Sequence, residues 1–290
     1  MTASVDATPY GTHAPDRLVA AIVALTRAVP ANRLGLRISM PLRRIAINWL
    51  QGRPVDTTLW GGPVRLYPSR NRCEKSVLFT PQIFDQVERE ALAGAVDRKL
   101  AANGTFAFID IGANVGVYSL FVGHRGGSSA RVVAIEPQPG IVDRLMFNTR
   151  ANPGLRIDVV PFAVADREGE TEMIVDNDDS GGTHLKESGS QGSEHGQAVR
   201  VRCRPLTAIL RDAGITAIDA IKIDVEGAED LALTPFLREA PDDALPRLLL
   251  IEDRAGDWSG DLFGLLRARG YTISGRSRQN LVLERNGARP

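Results

Sequence analysis

The chain has 290 residues, of which 43% are hydrophobic, and its 35 basic and 35 acidic side chains give a net charge of zero at pH 7. This length fits one α/β domain with additions and a sizeable core. The balanced charge argues against a dedicated nucleic-acid-binding protein, so we expect no nucleic-acid partner. The two cysteines, Cys73 and Cys203, form no C-x-x-C pair. We therefore predict no disulfide framework and a reducing, cytoplasmic location.

Residues 1–54 are predicted to form a helical extension. Two apolar helical stretches, 18–29 and 34–50, are separated at Pro30, and neither has a signal-peptide pattern or the ~20 unbroken apolar residues of a membrane span. The second stretch is amphipathic and contains Arg33, Arg37, Arg43 and Arg44. This pattern fits docking to a membrane surface or to a protein partner. It also fits a helix packed on the domain or at a dimer seam, so an oligomer stays open.

Residues 55–104 are predicted to cover one side of a ligand cleft in the domain that follows, 105–290. Alternating patterns at 55–60 and 64–67 around Gly61-Gly62-Pro63 indicate a β-hairpin, and 76–79 indicate a further strand. Residues 82–101 have apolar side chains at helical spacing and end at Asn103-Gly104, which predicts a helix.

The next segment predicts a nucleotide-binding unit. The apolar run 106–111 is typical of a parallel strand covered on both faces, and a tight turn with Gly112 and Gly116 leads into a helix from 117. The turn reads Asp110-x-Gly112-x-Asn114-x-Gly116 instead of the dinucleotide fingerprint G-x-G-x-x-G. An acidic residue here would repel a pyrophosphate and suits a cationic ligand group. S-adenosylmethionine, which has a sulfonium and no phosphate, fits this pattern.

Two further strands supply other candidate contacts to this cofactor. Strand 131–135 ends in Glu136, roughly 20 residues after the glycine turn, where a carboxylate can accept hydrogen bonds from both ribose hydroxyls. Strand 157–165 places Phe162 and Ala163 where a side chain and a backbone amide could touch an adenine ring. The alternative for Phe162 is a buried core position.

Residues 166–204 interrupt the alternation of strands and helices. Segments 171–175 and 199–203 are predicted to pair, and the Gly/Ser-rich sequence between them fits a lid or substrate loop. His184 in this loop is a candidate general base or acceptor contact, and the alternative is a solvated loop histidine.

Acidic side chains follow the next two strands, at the sheet edge where open α/β sheets bind ligands. After strand 218–224, Asp224 and Glu226 can hydrogen-bond an acceptor, take a proton or bind a metal. Strand 248–251 precedes Glu252 and Asp253, and such oxygens suit Mg²⁺. Because the spacing is loose, we predict no metal site. Segments 271–274 and 280–284 would close a seven-stranded sheet as an antiparallel pair.

Three motifs together resemble the FkbM-type methyltransferase family over roughly residues 64–284: Asp110-Ile111-Gly112-Ala113-Asn114-Val115-Gly116, Glu136-Pro137 and Lys222-Ile223-Asp224-Val225-Glu226-Gly227-Ala228-Glu229. The resemblance implies a Rossmann-like seven-stranded fold and methyl transfer from S-adenosylmethionine to a hydroxyl on a sugar, glycan, glycolipid or natural-product acceptor. It implies cofactor contacts at Asp110, Gly112, Asn114, Gly116, Glu136 and Ala163, with Asp224 near the reaction centre. Where family members often carry a Tyr-Glu pair, this chain has Phe84-Asp85.

Two other function classes stay open at this point. One is a nicotinamide-dependent oxidoreductase or epimerase on a similar sheet, against which Asp110 and Asn114 argue. The other is a non-catalytic cofactor-binding protein that docks through its basic N-terminal helices.

Overall fold

The computed structural model describes residues 8–175 and 197–285, together with the backbone of residues 184–185. Within these ranges the helices are α1 Arg17–Arg27, α2 Arg33–Leu50, α3 Arg72–Phe79, α4 Gln86–Ala101, α5 Val117–Gly126, α6 Pro139–Arg150, α7 Leu206–Asp212, α8 Glu229–Glu239 and α9 Leu262–Ala268. The strands are β1 Val55–Leu59, β2 Gly62–Leu66, β3 Phe106–Ile111, β4 Ala130–Ile135, β5 Arg156–Val160, β6 Ala163–Val164, β7 Gly169–Val175, β8 His184–Leu185, β9 Gln197–Arg204, β10 Ala220–Ile223, β11 Leu248–Glu252, β12 Tyr271–Arg276 and β13 Asn280–Arg285. Among the helices described, none combines the length and the apolar character that crossing a bilayer requires.

A seven-stranded sheet lies at the centre of the chain, in the order β12-β13-β11-β10-β3-β4-β5. Strands β3, β4, β5, β10 and β11 pair in parallel, whereas β13 pairs antiparallel with both β11 and β12. This arrangement confirms the predicted Rossmann-like α/β fold, including its antiparallel closing pair. The carboxyl ends of β4, β3, β10 and β11 therefore stand side by side at one edge.

The side chains of β3 show how the sheet is covered on both faces. Phe106 and Phe108 join the apolar cluster that contains α4 and α5, whereas Ile109 and Ile111 join the cluster that contains α7, α8 and α9. Because successive side chains of a strand alternate between faces, a strand buried on both sides needs apolar residues at nearly every position. That requirement explains the unbroken apolar run in the sequence.

The N-terminal extension shares its core with the sheet. Val19 of α1, Ala46 of α2 and Val64 of β2 belong to the same buried cluster as Phe106 of β3 and Leu120 of α5. Residues 8–104 therefore pack directly on one face of the domain, and the β1–β2 hairpin forms as predicted.

Residues 76–79, predicted as a strand, instead form the end of α3. The side chain of Asn71 accepts a hydrogen bond from the amide of Glu74 at 3.0 Å and so caps the helix. A run of three apolar residues is compatible with either a strand or a buried helix, and here the cap favours the helix. The following helix, α4, starts at Gln86 instead of residue 82, because Asp85 has a left-handed backbone (φ 41°).

The predicted third strand, 157–165, is divided between two sheets. Its first part is β5 of the central sheet, and its second part, β6, belongs to a four-stranded sheet of order β6-β9-β7-β8. In that sheet β7 and β9 pair antiparallel, as predicted for the insertion. The proposed lid residues 178–183 and 188–196 lie outside the described residues.

Candidate active site

A cavity of about 470 Å³ lies at the carboxyl ends of β3, β4, β10 and β11. Small-molecule sites typically occupy ~300–1,000 Å³ and occur at this edge of open α/β sheets. The predicted site residues that line the cavity are Gly112, Asn114, Glu136, Phe162, Ala163, Asp224 and Glu226. The fold therefore brings together predicted residues from four separate segments of the chain.

The turn after β3 requires glycine at two positions. Gly112 has φ 71°, and a Cβ atom there would stand 1.9 Å from the backbone carbonyl oxygen of Asp224. Gly116 has φ 89°, and its Cβ would stand 2.7 Å from Cδ1 of Leu145. Both positions combine a left-handed backbone with a close neighbour, so any side chain would push the turn away from β10 or α6. Gly116 acts in this packing and does not line the cavity.

Asp110 is fully buried and also does not line the cavity. Its Oδ2 accepts a hydrogen bond from the Ser119 hydroxyl at 2.7 Å, and its Oδ1 has no hydrogen-bond partner. Burial raises the pKa of Asp110, against the opposing charge of Lys222. The predicted direct contact between Asp110 and a ligand is therefore not supported by its position. This carboxyl group ties β3 to α5 beneath the turn.

Glu136 is held rigidly at the cavity wall by backbone amides. Its Oε2 accepts a hydrogen bond from the Asn114 amide, and its Oε1 accepts one from the Gln138 amide, each at 3.0 Å. Asn114 has φ 51°, so this amide belongs to the strained part of the glycine turn. Burial raises the pKa of Glu136 to about 7, although the two amide hydrogen bonds lower it. The carboxylate keeps free lone pairs for a ligand hydroxyl.

Lys222 is a site residue that the sequence patterns do not assign a role. Its Nζ donates a hydrogen bond to the carbonyl oxygen of Gly112 at 3.1 Å and lies 3.2 Å from Oδ2 of Asp224. Burial lowers the pKa of Lys222, but the carboxylates of Asp224 and Asp110 outweigh it and hold the pKa above its usual value. A charged lysine thus joins the glycine turn to the end of β10. Its position in the Lys222-Ile223-Asp224 motif is the signal that could have identified it.

Three carboxylates gather at the ends of β10 and β11. Oxygens of Asp224, Glu226 and Glu252 lie within 4.8 Å of one another, and all three residues line the cavity. Arg254 hydrogen-bonds Glu226 and pairs with Glu252 at 3.0 Å, and it also contacts Asp257. Such oxygens suit a hard cation, but the guanidinium already supplies positive charge to this acidic cluster.

The acidic cluster has carboxyl groups that titrate near neutral pH. Burial and then the charge of Asp224 raise the pKa of Glu226 to about 7, against the attraction of Arg254. Burial, Asp224 and Glu226 raise the pKa of Glu252 to about 8. Carboxyl groups with such pKa values can accept a proton from a reacting group at physiological pH.

Glu229 holds the loop that carries the acidic cluster. Its Oε1 accepts hydrogen bonds from the amides of Val225 and Gly227 at 3.1 and 3.2 Å, and its Oε2 accepts one from the Trp258 indole at 2.8 Å. Its position in the first turn of α8 is favoured by the helix dipole, and the structure also gives it specific loop partners. Glu229 is fully buried, so its role is to fix the loop.

Phe84 and Asp85, where the sequence departs from the family pattern, both line the cavity. The phenol of Tyr118 donates a hydrogen bond to Oδ2 of Asp85 at 2.9 Å, and the rings of Phe84 and Tyr118 are 6.2 Å apart. Burial and Glu88 raise the pKa of Asp85 to about 6. The segment before β3 therefore contributes an aromatic ring and a carboxyl group to the site.

The inserted sheet forms another wall. The guanidinium of Arg202 stacks on the Phe162 ring at 4.6 Å, so Phe162 is not a simple core residue. Ala163 and Met173 line the cavity beside it. The backbone of His184 lies in β8, opposite Ile174, and its side chain falls outside the described residues. A catalytic role for His184 stays a prediction.

Sequence comparison identifies a methyltransferase domain. A family profile described as the methyltransferase FkbM domain matches residues 110–273. The AMB antimetabolite synthetase AmbE of Pseudomonas aeruginosa is 29% identical in an alignment of length 217, and the match covers 61% of this chain and 10% of that protein. The chain thus spans about a tenth of the length of the curated relative that it matches.

Solved structures with a similar arrangement have low sequence identity. Monomeric WbdD has a TM-score of 0.42 and 10% identity, covering 72% of this chain and 43% of that one. Precorrin-6y C5,15-methyltransferase of Geobacter metallireducens has a TM-score of 0.41 and 12% identity, covering 69% and 87%. Fibrillarin of Aeropyrum pernix, solved with S-adenosyl-L-methionine, has a TM-score of 0.37 and 13% identity, covering 62% and 66%.

Proposed function

Because the chain belongs to the FkbM methyltransferase family and its cofactor is S-adenosylmethionine, we propose that it methylates a hydroxyl group on a small-molecule or glycan acceptor. The acceptor classes that we favour are sugars, glycans, glycolipids and hydroxylated natural products.

The chemistry of the cavity fits this cofactor. Glu136 would accept hydrogen bonds from the ribose hydroxyls, and Phe162 and Ala163 would contact the base. Bound S-adenosylmethionine supplies an electrophilic methyl group on a positively charged sulfonium. Carboxylates on the cavity wall attract that positive charge. The same carboxylates would repel the negative charges of a pyrophosphate.

The observation that carries the proposed acceptor is the acidic cluster of Asp224, Glu226 and Glu252. A hydroxyl nucleophile must lose its proton during the transfer, and a carboxylate with a pKa near 7 is an effective base at neutral pH. The pKa values of Glu226 and Glu252 are in this range. Neighbouring carboxylates also accept hydrogen bonds from the several hydroxyls of a polyol.

The residues around the acidic cluster also hold it in position for the acceptor. Arg254 fixes the carboxylates through its hydrogen bonds to Glu226 and Glu252, and Glu229 fixes the loop between β10 and α8. Holding the acceptor in line with the reacting bond removes much of the entropic cost of the reaction. The acceptor hydroxyl would bind the carboxylates and pass its proton to one of them.

Transfer of a labelled methyl group tests this proposal. The purified chain would be incubated with methyl-labelled S-adenosylmethionine and a panel of sugars, glycolipids and hydroxylated natural products, with amine and thiol compounds of similar size as controls. We expect label in O-methyl products, identified by mass spectrometry, and a large loss in a Glu226→Gln/Glu252→Gln variant. Label on nitrogen, sulfur or carbon instead of oxygen would overturn the hydroxyl assignment.

A further inference from the structure

Helix α2 exposes most of its large apolar side chains and buries mainly small ones. The buried residues of the helix are Gly35, Ser39, Ala46 and Leu50. In contrast, Leu34 is 61% exposed, Ile45 is 52% exposed and Trp49 is 54% exposed, and Ile38 is exposed as well. These four residues are spaced by four, seven and four positions, close to whole helical turns, so they form one stripe along the helix. We call Leu34, Ile38, Ile45 and Trp49 the apolar stripe.

Positive charge lies beside the apolar stripe. Between residues 33 and 50 the sequence has four arginines and no acidic residue, although the whole chain has a net charge of zero. Arg33, Arg37 and Arg44 are exposed and lie about a quarter to a third of a helical turn from the stripe. In the described part of the chain, none of these three forms an ion pair. The helix therefore presents an apolar face with an uncompensated basic flank.

We propose that α2 docks on an anionic phospholipid surface. An amphipathic helix with arginines on its polar side lies in the plane of the interface, with its apolar side chains at the boundary of headgroups and acyl chains. Anionic headgroups would neutralise the arginines. Pairing of two copies of α2 through the stripe would bring six exposed arginines together, and α2 itself has no acidic residue to pair with them, so charge favours the lipid over a second copy.

The α1–α2 hairpin is attached to the wall of the cavity. Trp49 near the end of α2 donates a hydrogen bond to Asp16 at the start of α1. At the other end of α1, Arg27 donates to the carbonyl of Leu78, and Gln82 donates to the carbonyls of Thr26 and Val29. Leu78 and Gln82 belong to the segment 78–85, which ends in Phe84 and Asp85, and these last two residues line the cavity. A lipid surface bound by α2 would therefore be coupled to the active-site wall through rigid contacts.

Vesicle binding tests this proposal with the full chain. Co-sedimentation would compare vesicles of phosphatidylcholine alone with vesicles that also contain phosphatidylglycerol. We expect binding to the anionic vesicles only, with an affinity that falls as salt is raised. Replacing Arg33, Arg37 and Arg44 by Gln should weaken it by about fivefold for each arginine. Replacing Arg150, Arg211 and Arg238, exposed arginines in the last turns of other helices, is the matched control and should leave binding unchanged.

Variants of the apolar stripe provide the second arm of the test. Ile38→Ser/Ile45→Ser should reduce vesicle binding at least tenfold, whereas Ile273→Ser, at a position 52% exposed on β12, should not. The Trp49 fluorescence should shift to the blue on anionic vesicles, and Trp49→Phe should abolish that shift. Circular dichroism would confirm that each variant is folded. Equal binding to both vesicle types, no binding to either, or a dimer in solution that the stripe variant makes monomeric would each overturn the proposal.

Discussion

Replacing Glu136 by Gln should weaken cofactor binding through the loss of a charged acceptor. Both oxygens of this carboxylate are already held by backbone amides at 3.0 Å, so the group cannot move to compensate. Hydrogen bonds to charged groups contribute about 1.5–3 kcal/mol, and losing the charge at the ribose corresponds to a roughly tenfold to hundredfold weaker affinity. The affinity for S-adenosylhomocysteine, measured by calorimetry at pH 8, gives this loss directly.

The same substitution should also destabilise the glycine turn, and the two effects are separable. The new side-chain amide places an N–H group against the amide of either Asn114 or Gln138, and one unsatisfied buried donor costs about 1–3 kcal/mol of folding free energy. Urea unfolding without ligand measures that cost. Glu239→Gln, at an exposed position on α8, is the matched control for loss of one negative charge. If Glu136→Gln folds and binds S-adenosylhomocysteine with unchanged affinity, the ribose assignment is wrong.

The remaining predictions concern the acidic cluster and pH. Asp224→Asn should keep the affinity for S-adenosylhomocysteine within about threefold and lower turnover by about 10²–10⁴-fold; normal turnover with the true acceptor would exclude its catalytic role. Arg254→Met should raise the pKa values of Glu226 and Glu252, so the acid limb of the pH–rate profile should move up by about one unit, and an unmoved limb would show that neither group is the base. The raised pKa values of Glu136, Glu226 and Glu252 mean that the folded chain binds more protons than the unfolded chain between about pH 4.5 and 8. The free energy of unfolding should therefore decrease as pH rises through this range, by up to about 1.4 kcal/mol per pH unit for each titrating group; urea melts that show stability increasing over this range would contradict these pKa shifts.

Local patterns in the sequence were sufficient to predict the elements that form the candidate cofactor site. The strand, glycine turn and helix around Gly112, and the acid at Glu136, depend on residues close together in the chain, so their spacing predicts them. The alternation of side chains along β3 could also have predicted which way the side chain of Asp110 points. Its side chain shares a face with Phe108 and therefore points towards α5, which excludes a place on the cavity wall.

Contacts between distant segments could not be predicted in this way. Arg254 pairs with Glu226, 28 residues away, and Trp258 pairs with Glu229, 29 residues away. Lys222 contacts the carbonyl of Gly112 only because β3 and β10 are neighbours in the sheet. Each of these contacts is created by strand order, so a local motif can mark a residue such as Lys222 but cannot predict its distant partner.

The shared core of the N-terminal extension limits how this domain can be cut or transplanted. The region matched by the family profile begins at residue 110, inside β3, which starts at Phe106. A fragment trimmed to that region would lose four of the six residues of this central strand, and Leu120 on α5 would lose the part of its buried cluster that Val64 and Leu92 supply. Chimeras that exchange catalytic modules should therefore be joined before α1, so that α1, α2 and the β1–β2 hairpin are transferred together with the central sheet.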